Sequence, residues 1–167
     1  MNVALGGTFD PVHDGHRALF ERAFELGDVT VGLTSDELAP KTRNEERHVK
    51  SYEERHAALK RELAPLAERH DREFEIRRLD EPTGIATEEP DFDYLVVSPE
   101  TTRGAQEVND IRATKGLDPL DVVVVDHVPA EDGERISSTR IVRGEIDEHG
   151  NRTPEASGRP APHEQGR

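Results

Sequence analysis

The chain has 167 residues, with 36 acidic against 22 Lys and Arg side chains, a formal charge of −14, 4% aromatic residues and no cysteine. That length suits one domain around one core. The lack of cysteine excludes disulfides and thiolate metal sites, and the charge excludes general affinity for nucleic acid, which rests on phosphate neutralisation by basic residues.

No apolar run reaches the roughly 20 residues that span a bilayer. No basic segment followed by an apolar one opens the chain, so no secretory leader is expected and the cytoplasm is the default location. Lysine stands only at 41, 50, 60 and 115; every other basic side chain is arginine. Apolar periodicity over 1–145 argues against disorder there. The acidic excess therefore reads as a surface adapted to high intracellular salt, where screening removes self-repulsion, or as a face for a basic partner. The hydrophilic surface points to a monomer.

Residues 2–6 read as a buried strand. From Asp14 to Gly27, the apolar positions Leu19, Phe20, Ala23, Phe24 and Leu26 recur at helical spacing, with Gly27 as the stop. DVTVGLT (28–34) alternates as a second strand. A polar stretch, 35–50, holds Lys41, Arg43 and Arg47. Ser51 with Glu54 makes a capping box for a helix over 51–70, with a kink or break expected at Pro65.

EFEIRRL (73–79) and FDYLVVS (92–98) are the third and fourth strands. Pro99 opens a helix that reaches Lys115, with Gly116 after it. LDVVVVDHV (120–128) is a fifth strand whose continuous apolar run suits burial on both faces. A short helix starts near Ser137. From Ile146 the periodicity is lost, and 146–167 reads as a disordered polar tail.

Strands alternating with helices imply an α/β fold, a Rossmann-like doubly wound five-stranded parallel sheet with flanking helices. Such sheets bind ligands at the carboxyl ends of their strands. Three loops fall at that edge: GGTFDPVHDGH (6–16), SPETTR (98–103) and AEDGERISSTR (130–140).

In the first loop, Gly6 and Gly7 let the backbone turn sharply and approach a ligand. Asp14, Gly15 and His16 begin a helix, where unpaired N–H groups and the dipole favour an anion. His16 can donate a ring N–H to a phosphate oxygen, and Thr8 a hydroxyl. The GxxxxGK[ST] pattern of a P-loop is absent. His13 and His16 could instead pair on a metal, but no third ligand accompanies them.

GGTFDPVHDGH resembles the GTFDPxHxGH signature of the nucleotidyltransferase superfamily related to class I aminoacyl-tRNA synthetases. ISSTRI (136–141) resembles its second motif, ISSTxI, in the right order over a hundred residues later. Residues 93–125 and AEDGERISSTRIVRGEID (130–147) are similar to the archaeal and eukaryotic branch of the phosphopantetheine adenylyltransferases. The resemblance covers 1–145 as a nucleotidyltransferase domain and agrees with an archaeal, halophilic source.

The resemblance implies adenylyl transfer from ATP to 4′-phosphopantetheine in coenzyme A synthesis. The products are 3′-dephospho-coenzyme A and pyrophosphate, formed by in-line attack without a covalent intermediate. It places His16, Thr8 and Lys41 at the reacting phosphates, Thr8 and Lys41 on the acceptor. ATP contacts fall to Gly7, Thr8, Phe9, His13, His16, Arg103, Ser137, Ser138 and Thr139. Magnesium would arrive with the triphosphate, and no dedicated acidic cage is readable.

In bacterial members two arginines follow strand four. Here SPETTR leaves Arg103, shifted in register, with Arg140 and Arg112 as weaker candidates. Two other readings stay open. One is a relative with another acceptor, such as nicotinamide mononucleotide or the alcohol phosphate of a cytidylyltransferase. GERISSTR disfavours the latter, since those enzymes resemble RTEGISTT at the second motif. The other is a non-catalytic nucleotide-binding module, against which the set Thr8, His13, His16 and Lys41 argues.

Overall fold

A computed structural model describes residues 1–38, 49–81 and 84–152. The elements run β1 (Asn2–Gly7), α1 (Asp14–Leu26), β2 (Asp28–Thr34), α2 (Tyr52–His70), β3 (Phe74–Leu79), α3 (Gly84–Glu88) and β4 (Tyr94–Val97). A 3-10 turn at Pro99–Thr101 leads into α4 (Thr102–Thr114), then β5 (Asp121–Val124) and α5 (Ser138–Val142). Among the described residues the strands form one five-stranded sheet in the order β3-β2-β1-β4-β5. All neighbours are parallel. The expected α/β, doubly wound sheet is therefore the observed one.

Strand alternation sends β1 side chains to two cores. Val3 and Leu5 join Val29, Val31 and Leu33 under α1 and α2, where Phe20, Phe24, Leu59 and Leu63 are fully buried. Ala4 turns to the opposite face, with Leu95, Val97, Ala105 and Val108. The capping box at the start of α2 forms as expected, Glu54 N–H on Ser51 Oγ and Ser51 N–H on Glu54 Oε1, both at 3.3 Å. Pro65 does not break α2. The buried positions Leu59, Leu63 and Ala67 lie on both sides of it, so packing carries the helix across the missing hydrogen bond.

Three features depart from the sequence reading. β5 is an edge strand rather than one buried on both faces: Val122 and Val124 are 38% and 48% exposed. Helix α3 was not expected, because five residues are too short for a periodic signal.

The segment assigned to a tail from Ile146 is packed as far as Arg152. Ile146 is 1% exposed and forms a small core with Ala130 and Ile136. It bridges Arg152 in antiparallel fashion, and Glu131 N–H donates to the Gly150 carbonyl at 2.7 Å. Gly150 has φ 84°, and a Cβ there would lie 2.8 Å from Ala130 Cα, so this lap requires glycine. The rest of the expected tail, 153–167, lies outside the described residues. Among the described residues no helix is long and apolar enough to cross a membrane.

Candidate active site

The three loops expected at the sheet's carboxyl edge do converge there, around a cleft of about 720 Å³. Gly7 ends β1 beneath the ring of Phe9, 3.0 Å from where a Cβ would stand. Phe9 holds a left-handed backbone, φ 51°, a conformation rarely adopted by a bulky residue. Its ring is buried against Phe20 and meets His16 edge-on, with centroids 4.9 Å apart.

His13 is the N-cap of α1. Its Nδ1 accepts from Gly15 N–H at 3.0 Å, while His16 Nδ1 accepts from His13 N–H at 3.3 Å. With Nδ1 accepting on both rings, each neutral imidazole carries its proton on Nε2. Burial, then the nearby Arg17 guanidinium, lowers the His13 pKa to about 4. Burial, then the His13 ring, pushes His16 well below its usual value. Both rings are therefore neutral at neutral pH, and both line the cleft.

The start of α1 differs from expectation in its donors. Asp14 N–H donates to the Glu148 carbonyl at 3.0 Å and Gly15 N–H to His13, so these two groups are not left for an anion. The helix dipole remains.

Thr8 lines the cleft, with its Oγ1 2.9 Å from Thr34 Oγ1. Ser137 and Ser138 line it from the last loop. Ser138 Oγ donates to the Pro11 carbonyl at 3.1 Å, which ties the second sequence motif to the first, and Ser137 Oγ accepts from Arg140 N–H. Thr139 is helical, but its side chain lies outside the described set, as does all of Lys41.

Arg103 is exposed on α4 and does not line the cleft. Arg112 does not either: it is buried and donates to the carbonyls of Ala86, Glu89 and Asp118, fixing α3 against α4. Arg140 does line the cleft, held by Asp132, Glu145 and the Arg135 carbonyl.

Sequence reasoning missed Arg135 and Arg143, which also line the cleft, in a protein with few basic residues to spare. Arg135 adds a small part to the lowering of the His13 pKa, after burial and Arg17. The places of Arg135 and Arg143 within two residues of either end of ISSTRI were the available signal. It also missed Arg55, buried beside Thr8. An apolar part of the wall is made by Gly32, Leu79, Ile85, Ala86, Leu95 and Val97. A Cβ on Gly32 would come 3.2 Å from Ile85, so the glycine keeps that wall open. Among the described residues no group of three or more His, Asp or Glu is placed to hold a metal ion.

Residues 4–144 match the family model described as cytidylyltransferase-like. The chain is 49% identical over 151 residues to the phosphopantetheine adenylyltransferase of Methanosarcina acetivorans, covering 89% of this chain and 93% of that one. It is 45% identical to the phosphopantetheine adenylyltransferase of Archaeoglobus fulgidus, covering 90% of this chain and 98% of that one. A crystal structure from Archaeoglobus fulgidus, described as a protein with unknown function, superposes with a TM-score of 0.66 at 36% identity, over 82% of this chain and all of that one.

Proposed function

We propose, on the premise that the chain belongs to the cytidylyltransferase-like family and stands with its archaeal phosphopantetheine adenylyltransferases, that it is an adenylyltransferase of coenzyme A synthesis. It transfers the adenylyl group of ATP to 4′-phosphopantetheine, giving 3′-dephospho-coenzyme A and pyrophosphate. The observation that carries this reading is the lining of the cleft, in which the residues of the two motifs stand together with the apolar side chains of Leu79, Ile85, Leu95 and Val97. A phosphate carried on a long neutral arm needs both.

An oxygen of the acceptor phosphate attacks the α-phosphorus of ATP. The new P–O bond forms as the bond to the β-phosphate oxygen breaks, and pyrophosphate leaves with that electron pair. No bond to the protein is made, so the chain's contribution is position and charge. His16, neutral and protonated on Nε2, donates to an equatorial oxygen of the α-phosphate, where negative charge grows in the transition state. Thr8 donates to the same group. His13 is assigned to the ATP phosphates, and Ser137, Ser138 and Thr139, with Arg135, Arg140 and Arg143, to the β- and γ-phosphates. Lys41 is assigned to the attacking phosphate, as a mobile point charge.

Magnesium enters with the triphosphate and shields its charge. Among the described residues no group of three or more His, Asp or Glu would hold it, so the triphosphate itself would carry the ion to the site. The acidic composition we assign to a cytoplasm rich in salt.

The test is pyrophosphate release in molar KCl with ATP and magnesium, comparing 4′-phosphopantetheine with nicotinamide mononucleotide. Release with 4′-phosphopantetheine alone is expected. Release with the other acceptor keeps adenylyl transfer and replaces the substrate. No release with either overturns catalysis in favour of a nucleotide-binding module.

A further inference from the structure

Among the described residues two arginines are 1% exposed, Arg55 and Arg112. A buried guanidinium persists only where its donors are satisfied. The hydrogen bonds of Arg112 go to backbone carbonyls alone, as expected of a structural brace. Arg55 is different. Its Nε donates to the Lys50 carbonyl at 2.8 Å and Nη2 pairs with Asp36 at 3.2 Å. Its Nη1 is shared between the Thr8 carbonyl at 3.4 Å and the Thr34 hydroxyl at 3.2 Å. Thr34 is 2% exposed and its Oγ1 is the group that meets Thr8 Oγ1.

We propose that Arg55 is a positioning residue for the adenylyl transfer, acting through Thr34 on the hydroxyl of Thr8. This rests on the function proposed above. A hydroxyl has one proton to give. When Thr34 Oγ1 accepts from a cation, its own proton is polarised and directed away from that cation, and Thr8 Oγ1, at 2.9 Å, is an oxygen within reach to accept it. Thr8 then accepts from Thr34 and presents its own proton as a donor. Without Thr34 as donor, Thr8 can spend that proton sideways and face a phosphate with a lone pair. The bond from Nη1 to the Thr8 carbonyl fixes the backbone under the same hydroxyl. One buried charge thus sets both the place and the polarity of a side chain that lines the cleft.

The experiment is a mutant cycle in molar KCl, reading kcat and both KM values, with thermal unfolding as the check on folding. Thr34→Val keeps the shape of the residue and removes its hydroxyl. It is expected to lower kcat about tenfold, with both KM values within about twofold, the size of one misdirected hydrogen bond. Thr34→Ser should restore wild-type turnover. Thr8→Val should cost about a hundredfold in kcat, the low end for removal of one transition-state donor, and adding Thr34→Val to it should cost nothing more. Arg55→Met, if it folds, should lower kcat at least as much as Thr34→Val does, since it also releases the Thr8 carbonyl.

Thr34→Val at wild-type turnover overturns the proposal. So does a double variant whose loss is the product of the two single losses, since independent structural effects combine that way. Wild-type protein without turnover removes the functional reading and this inference with it. Wild-type turnover with multiplying losses removes this inference alone.

Discussion

The rings of His13 and His16 stack with centroids 3.8 Å apart and planes 20° from parallel, each with Nδ1 engaged by a backbone N–H. Two imidazolium ions could not share that geometry without strong repulsion, so the stack requires neutral rings. A neutral donor suits this site. It can hold a phosphate oxygen without keeping it as tightly as a full charge would once pyrophosphate must leave.

His16→Ala is expected to lower kcat by roughly 10² to 10³, the usual cost of removing one preorganised donor to a developing charge. The ATP KM should change little, because the other phosphate contacts persist. Stopped-flow pyrophosphate release at saturating ATP measures it, and an unchanged kcat would remove His16 from the chemistry.

The same pair should make stability depend on pH. The folded pKa of His13 is lowered from 6.5 to about 4. As pH falls from 6.5 toward 4, the unfolded chain takes up a proton that the folded chain refuses, so stability is lost across that window and is fully present above it. For His13 the whole loss is about 3 kcal/mol, at 1.36 kcal/mol per unit. Urea unfolding of wild type and His13→Asn from pH 4 to 7.5 tests this. Asparagine keeps the N-cap but does not titrate, so the variant should lose the His13 share of that slope and keep the share of His16.

Ile146→Ala should destabilise the protein by about 2–5 kcal/mol, the range for emptying a buried aliphatic site. Ile146 is 1% exposed between Ala130 and Ile136, and Ile136 adjoins Ser137 of the cleft. Turnover should fall with it if the last loop loosens. Circular-dichroism melts in molar KCl provide the comparison.

With a formal charge of −14, the melting temperature should rise from low salt to molar KCl, as screening relieves repulsion among the acidic side chains. A chloride series read by scanning fluorimetry checks it. Equal melting temperatures across the series would remove the salt-adapted reading of the composition.

The elements that speak in sequence are those whose signal is local. β1, β2 and β3 alternate or run apolar, α1 has its stripe and α2 its capping box, and all stand where they were expected. β5 was misread because an apolar run records how a strand is composed and not where it stands in the sheet. VVVV at an edge has a neighbour on one side only. Ile146 was lost in a polar, glycine-rich context, since one buried side chain makes no period.

The site was legible where it is written in consecutive residues: Thr8, His13, His16, Ser137 and Ser138 do meet in one cleft. Arg103 fell to the outside because one position along a helix turns a side chain by about 100°. Arg55 stayed hidden for a different reason. In SYEERHAAL it looks like one more charged residue on a solvated helix face, and only the close approach of β2 and the Thr8 loop buries it.

β1 lies beside β2 along its whole length, from Asn2 with Asp28 to Gly7 with Leu33. Against β4 it pairs only through Val3 with Tyr94 and Ala4 with Leu95. Beyond that point the two strands part, and Leu5 to Gly7 on one and Val96 to Ser98 on the other line the cleft. The molecule is in this sense a book with a short spine: β3, β2 and β1 make one leaf, β4 and β5 the other, and the cleft is the gutter. A molecule lodged there grips both leaves at once. Its binding energy is added to a joint that the backbone alone leaves short, so the loaded protein is bound more firmly into one body than the empty one.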